Sequence, residues 1–313
     1  MRRGRKLAEE YDDSLYKYTN LLFLGDFLYA HNVQEGIEQF EELYELTQEL
    51  EVPYYMGEVL NDTSLAFETA GEYDLAISCH LEVIKIRGSK DFTSQLLSRI
   101  YASLGDASRA LEEANYFLEY TAGIEILTGY LRKARALALL NRIDEAEQLL
   151  DKANAIIMKS GSDVVLGTYY HVAGVIELAK GDYLDALEIL EKSWEVYEKL
   201  RRIHCQNYVL LDLARAEFLC AKESEECIDL TLPRRWLSQL ERQASNLNLP
   251  GIKMQAAMLK SEFYQENNQL KDAQAVLEDA LKIFDSAGVL TLKKMISARI
   301  KELDQLMHDA EIA

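Results

Sequence analysis

One short phrase returns five times along the 313 residues. It reads Gly71-Glu72-Tyr73 with Ala76, Gly105-Asp106-Ala107 with Ala110, Asn141-Arg142-Ile143 with Ala146, Gly181-Asp182-Tyr183 with Ala186, and Asn268-Gln269-Leu270 with Ala273. From Ala76 to Ala186 the small residues stand 34, 36 and 40 positions apart, a period that marks a solenoid. Each turn residue must enter the left-handed region to end a helix, which glycine does freely and asparagine tolerably. Twelve positions before each alanine stands a second small residue, Ser64, Ser98, Ala134, Gly174 or Ser261. Small side chains at both places let two helix axes approach to about 8–10 Å. Each pair therefore predicts one antiparallel helical hairpin.

These phrases resemble the tetratricopeptide repeat (TPR), in which helix A has a small residue at its eighth position and the turn and helix B read Gly-x-Tyr-x-x-Ala. Gly181-Asp182-Tyr183-Leu184-Asp185-Ala186 and Gly71-Glu72-Tyr73-Asp74-Leu75-Ala76 match that pattern best. Two further hairpins fit loosely. One opens at His31-Asn32-Val33 with Gly36, and the other aligns Ala214 with Gly174, its second helix running from Pro233 to Leu247. The resemblance implies an all-α, right-handed TPR superhelix of about seven hairpins. Several units are longer than the usual repeat, and in this they are similar to those of the maltose-regulon activator and of peptide-sensing regulators.

The organisation expected is a charged lead-in over 1–11, a solenoid over 12–287, and a capping helix with tail over 288–313. The cap is read from Leu290, Leu292, Met295, Ile296, Ile300, Leu303 and Met307, an apolar stripe at helical spacing with charged residues outside it. A terminal repeat needs such a polar outer face. Lys222 to Leu232 is the best loop candidate, since it loses the apolar period before Pro233. The basic start at Arg2, Arg3, Arg5 and Lys6 has no apolar run behind it, so it does not read as a signal peptide. No stretch approaches the roughly 20 apolar residues of a membrane span. A cytoplasmic protein is expected, with no membrane association.

Fifty-three acidic against 34 basic residues leave a net charge of −19. That excess disfavours nucleic acid as a partner, because such binding relies on lysine and arginine displacing counterions. Within the acidic shell the resemblance implies an exception. In a TPR array helix A lines the concave face, and its register places Arg99, Arg135 and Arg215 at the same inward position of three units, with Arg132 one turn before Arg135. Asn61, Gln95, His171 and Gln255 take other inward positions, interspersed with the apolar Leu131, Val175 and Leu211. An arginine column favours an acidic or phosphorylated peptide, or a chain terminus, through forked bonds to its carboxylate. The same column is purely structural if each arginine pairs with an acidic residue of an adjacent helix.

Catalytic and metal chemistry have little footing. Cys79, Cys205, Cys220 and Cys227 contain no Cys-x-x-Cys pair. With His204 they are types that zinc accepts, but their spacing reads as reduced thiols. No phosphate loop or nucleophile elbow is present, and His80 falls at an apolar helix B position. Tyr73, Tyr183 and Trp194 are expected to pack between hairpins. The residues therefore predict a non-enzymatic scaffold or adaptor without cofactors, which binds a peptide or helix of a partner protein in its groove. The alternative is a peptide-sensing module that controls a DNA-binding or catalytic partner. Nothing in the residues sets an oligomeric state.

Overall fold

Fifteen α-helices and two single-turn 3₁₀ segments make up the described residues of the computed structural model, which are 14–29, 32–49, 51–160, 163–223, 234–283 and 287–312. The lead-in, His31, Cys227 and nearly all of the expected loop before Pro233 lie outside them. The helices pair in chain order: α1 (Ser14–Tyr29) with α2 (Val33–Glu49), α3 (Pro53–Ala70) with α4 (Tyr73–Arg87), α5 (Thr93–Ser103) with α6 (Ala107–Tyr120), and α7 (Ile126–Leu139) with α8 (Ile143–Ser160). Next come α9 (Asp163–Lys180) with α10 (Tyr183–Lys199), α11 (Ile203–Glu223) with α12 (Arg234–Asn246), and α13 (Pro250–Glu266) with α14 (Leu270–Ile283). The last helix, α15 (Leu290–Ile312), packs on α14 and lays Leu292, Ile296 and Leu303 into the core.

The turn chemistry explains the hairpins. Gly71, Gly105, Asn141, Gly181 and Asn268 all have positive φ, between 57° and 89°. The amide of the next residue bonds back to a carbonyl five positions earlier, as from Glu72 to Phe67 (2.8 Å) and from Arg142 to Leu137 (2.9 Å). These bonds satisfy carbonyls that a helix end would otherwise leave open. At the crossings Ala76, Ala110, Ala146, Ala186 and Ala273 have no exposure at all. Ser98 Oγ donates to the Ala110 carbonyl (2.7 Å) and Ser64 Oγ to that of Ala76 (3.2 Å), so the small polar residues tie the two helices together. His80 is buried and lies 2.7 Å from Ser64 Oγ, as its apolar setting implied.

Odd-numbered helices face the inside, where α5 touches α7, α7 touches α9, and α11 touches α13. The solenoid does not stay an open trough. Helix α3 packs against α11 and α13, and α4 against the 3₁₀ turn Ala287–Val289 and α15. Asn207 Nδ2 donates to the Thr69 carbonyl (3.1 Å), Tyr73 Oη to Gln255 Oε1 (3.0 Å), and Gln255 Nε2 to the Ser103 carbonyl (3.3 Å). The Gly71 turn lies so close to Gly251 that a Cβ on Gly251 would sit 2.0 Å from the Gly71 carbonyl oxygen. Tyr73, which its repeat position places between hairpins, is wholly buried and also carries its hydroxyl across this seam.

Candidate functional site

Every candidate residue read from the sequence stands on an odd-numbered helix: Asn61 on α3, Gln95 and Arg99 on α5, Arg132 and Arg135 on α7, His171 on α9, Arg215 on α11 and Gln255 on α13. Two of the cavities among the described residues gather several of them. The first, of about 280 Å³, brings together Arg135, Arg215 and Gln255, with Val175 and Leu211 as apolar wall. Its rim holds Leu139 and Arg215, both half-exposed. The second, of about 220 Å³, is lined by Asn61, Asp62, Glu68, Arg99 and His204 among others. Gln95 is buried and lines neither, and His171 stands behind the first cavity, bonded to Asp212.

Between the cavities sits Glu68, a carboxylate that the repeat register does not single out and whose side chain is wholly hidden from solvent. Arg99 donates to both of its oxygens, through Nε to Oε1 at 2.5 Å and through Nη2 to Oε2, and Tyr208 Oη donates to Oε1 at 2.5 Å. Burial by itself would raise the pKa of Glu68. The charge and hydrogen bonds of Arg99 outweigh it and hold the carboxyl below its ordinary range. Arg99 thus takes the structural role, pairing across helices. Arg215 does so in part, with Nη2 3.1 Å from Glu262 Oε2 at a half-exposed position.

Arg135 and Arg132 are different. Arg135 is 7% exposed, stands with its guanidinium 5.6 Å from the Tyr208 ring centre, and keeps a buried Nε with no hydrogen-bond partner. Arg132 likewise has a buried, unpartnered Nε. Burial, together with repulsion from Arg99 and Arg135, pushes its pKa down to about 10. His171 Nε2 lies 2.8 Å from Asp212 Oδ2. Burial lowers the pKa of that histidine despite the bond. The cavity can accept an anionic group with apolar flanks, and Gln255, tied up at both ends of its amide, serves as wall.

Glu68 does carry a signal in the sequence. It is the one charged residue in the run Ala66-Phe67-Glu68-Thr69-Ala70, next to a turn. Asp212 stands three residues before Arg215 on the same face of α11. No group of three or more His, Cys, Asp or Glu side chains is placed to hold a metal among the described residues, and no helix there is long and apolar enough to cross a membrane.

No family model matches the sequence. Among solved structures the chain superposes on a signal-transduction ATPase with numerous domains that has a tetratricopeptide repeat sensor, from Pyrococcus horikoshii, with a TM-score of 0.59 and 14% identity. That match covers 94% of this chain and 42% of the other. The fold is that of a tetratricopeptide-repeat solenoid. A second match, to a Rap protein complexed with competence and sporulation factor, has a TM-score of 0.56 at 12% identity and covers 98% of this TPR chain and 92% of that one. At such identities the likeness concerns the fold alone, and the cavity chemistry is this chain's own.

Proposed function

We propose that this TPR solenoid is a non-enzymatic interaction module that receives an acidic side chain or terminal carboxylate of a partner protein or peptide in its inner cavity. The observation that carries this reading is the convergence of Arg135, Arg215 and Gln255 with Val175 and Leu211 on one cavity open at its Leu139 rim. A preformed, partly apolar pocket with a few fixed polar groups is what ligand recognition requires, and it spares the receptor the cost of ordering. The closure of the solenoid narrows the expectation of a long groove to a pocket that takes the end of a segment.

Arg135→Glu should weaken binding of an acidic-tailed peptide by roughly 30-fold or more, since one partner of a desolvated charge pair is reversed. Fluorescence anisotropy measures the affinity and circular dichroism verifies the helices. Affinity equal to that of the unaltered chain would remove the pocket from consideration.

A second reading is a sensing module that passes ligand binding to a regulatory partner. It is favoured by the seam, because a ligand at Arg135 meets Tyr208, which also holds Glu68 across that seam. Occupancy would then be felt by the closure itself. Of the two proteins likened above, one has a tetratricopeptide repeat sensor and the other is complexed with competence and sporulation factor, and this chain spans 42% of the first.

A further inference from the structure

The cavity of about 220 Å³ beside Glu68 is lined by side chains of α3, α4, α5 and α11, and its hydrogen-bonding capacity is one-sided. Arg99 is taken up by Glu68, whose oxygens already hold three donors. What remains are acceptors without donors. Asn61 Oδ1 is buried with no partner, and so is Nδ1 of His80, a residue only 1% exposed. The Ser64 hydroxyl donates to the Ala76 carbonyl, so the 2.7 Å contact between Ser64 Oγ and His80 Nε2 is filled by the ring N–H. Burial pushes the pKa of His80 down to about 4, and Nδ1 therefore keeps a bare lone pair. A buried acceptor left empty costs about 1–3 kcal/mol. Here two of them belong to residues that line one space.

Asp62 adds a charge to the same cavity, and among the described residues it has no hydrogen bond or ion pair. The groups around it do not supply a counterion. Asp26 and Tyr18 of α1 face it as an acid and a phenol, and Glu58 on its own helix is paired with Arg87 at 2.7 Å. His204 is neutral, its pKa pushed down to about 3 by burial. Of the two cations, Arg99 is matched by Glu68 and Arg202 is exposed at the rim, where water and salt screen it. An anion in this cavity would meet bare acceptors and a carboxylate. A singly charged group rich in N–H donors finds partners for both its charge and its protons. We propose that this cavity is a binding site for a primary ammonium group, with Asp62 as its counterion and Asn61 Oδ1 and His80 Nδ1 as its acceptors. An ammonium has three donors for these three groups, and Leu65 and Leu96 give a short stem an apolar wall. The site differs in place and in charge from the cavity at Arg135 and does not depend on it.

The test is calorimetric titration with Nα-acetyl-lysine amide and with alanine amide, beside tetramethylammonium as a cation without N–H donors. At pH 8 a primary ammonium probe should bind saturably and tetramethylammonium should not. Binding of the lysine derivative supports a side chain as the natural group, and binding of alanine amide supports a chain N-terminus. The affinity of the protonated probe should fall about tenfold from pH 8 to pH 6, as Asp62 takes up a proton, while His80 and His204 stay neutral throughout. Asp62→Asn should bind at least about tenfold more weakly at pH 8 and lose the pH dependence. Asn61→Leu should bind several-fold more weakly. Glu188→Gln, which removes an exposed carboxylate on α10, should match the unaltered chain. No saturable heat with either ammonium probe, equal binding of tetramethylammonium, or undiminished affinity in Asp62→Asn overturns the site.

Discussion

A carboxylate with no exposure to water persists at Glu68 because three donors reach it, two from Arg99 and one from Tyr208. Asp62, on the same helix, has no such help. Burial, then the charges of Asp26 and Glu58, raise its pKa from 3.8 to about 7. Since the folded value lies above the unfolded one, the fold favours the protonated acid. That contribution is complete below about pH 4 and is lost as the pH climbs to 7. Asp62→Asn should therefore be more stable than the unaltered chain at pH 8 by roughly 1–3 kcal/mol, and the gap should close near pH 4. Urea unfolding at the two pH values measures it, and a gap independent of pH contradicts the assignment. The arginines were legible in the sequence because a repeat register puts them on one face. The second partner of Glu68 was not, since Tyr208 reaches it across 140 positions and no local period records that.

The five repeat turns end their helices locally, and α15 has a cap supplied from elsewhere. Asp74, in the first turn of α4, accepts from the Thr291 amide (2.9 Å) and the Thr291 hydroxyl (2.6 Å), capping the start of the last helix from 217 positions away. The apolar stripe of α15 predicted its inner face, and Leu292, Ile296 and Leu303 are buried there. Leu290, counted in that stripe and the first residue of the helix, is exposed. Asp74→Ala should cost about 1 kcal/mol, the worth of a helix cap, and hydrogen exchange should quicken at Thr291 and the turn that follows it. Uniformly quickened exchange over the whole chain would show that Asp74 supports more than this one helix end.

For the molecule as a whole, the seam joins the core of the first hairpins to that of the last, so Val59, Tyr73, Tyr208, Ile252 and Leu292 belong to one continuous set of buried side chains. Two glycines with different demands separate local from global effects. Gly105 has a φ of +76° and open space where a methyl group would stand, whereas Gly251 has Gly71 backbone 2.0 Å from that position. Gly105→Ala should cost about 1–2 kcal/mol from the left-handed conformation. Gly251→Ala should cost roughly 1–3 kcal/mol from overpacking and, in addition, widen the particle in small-angle X-ray scattering. An unchanged radius of gyration in Gly251→Ala would mean that the seam is not held by this contact. The five turns and the alanine crossings were settled by the amino-acid sequence alone, because left-handed backbone and close helix approach are decided within about a dozen residues. Closure, the Glu68 pairing and the isolation of Arg132 and Arg135 were decided only in three dimensions. They depend on the small rotation that each hairpin adds to the last, and the sum of those rotations brings together residues 138 to 217 positions apart.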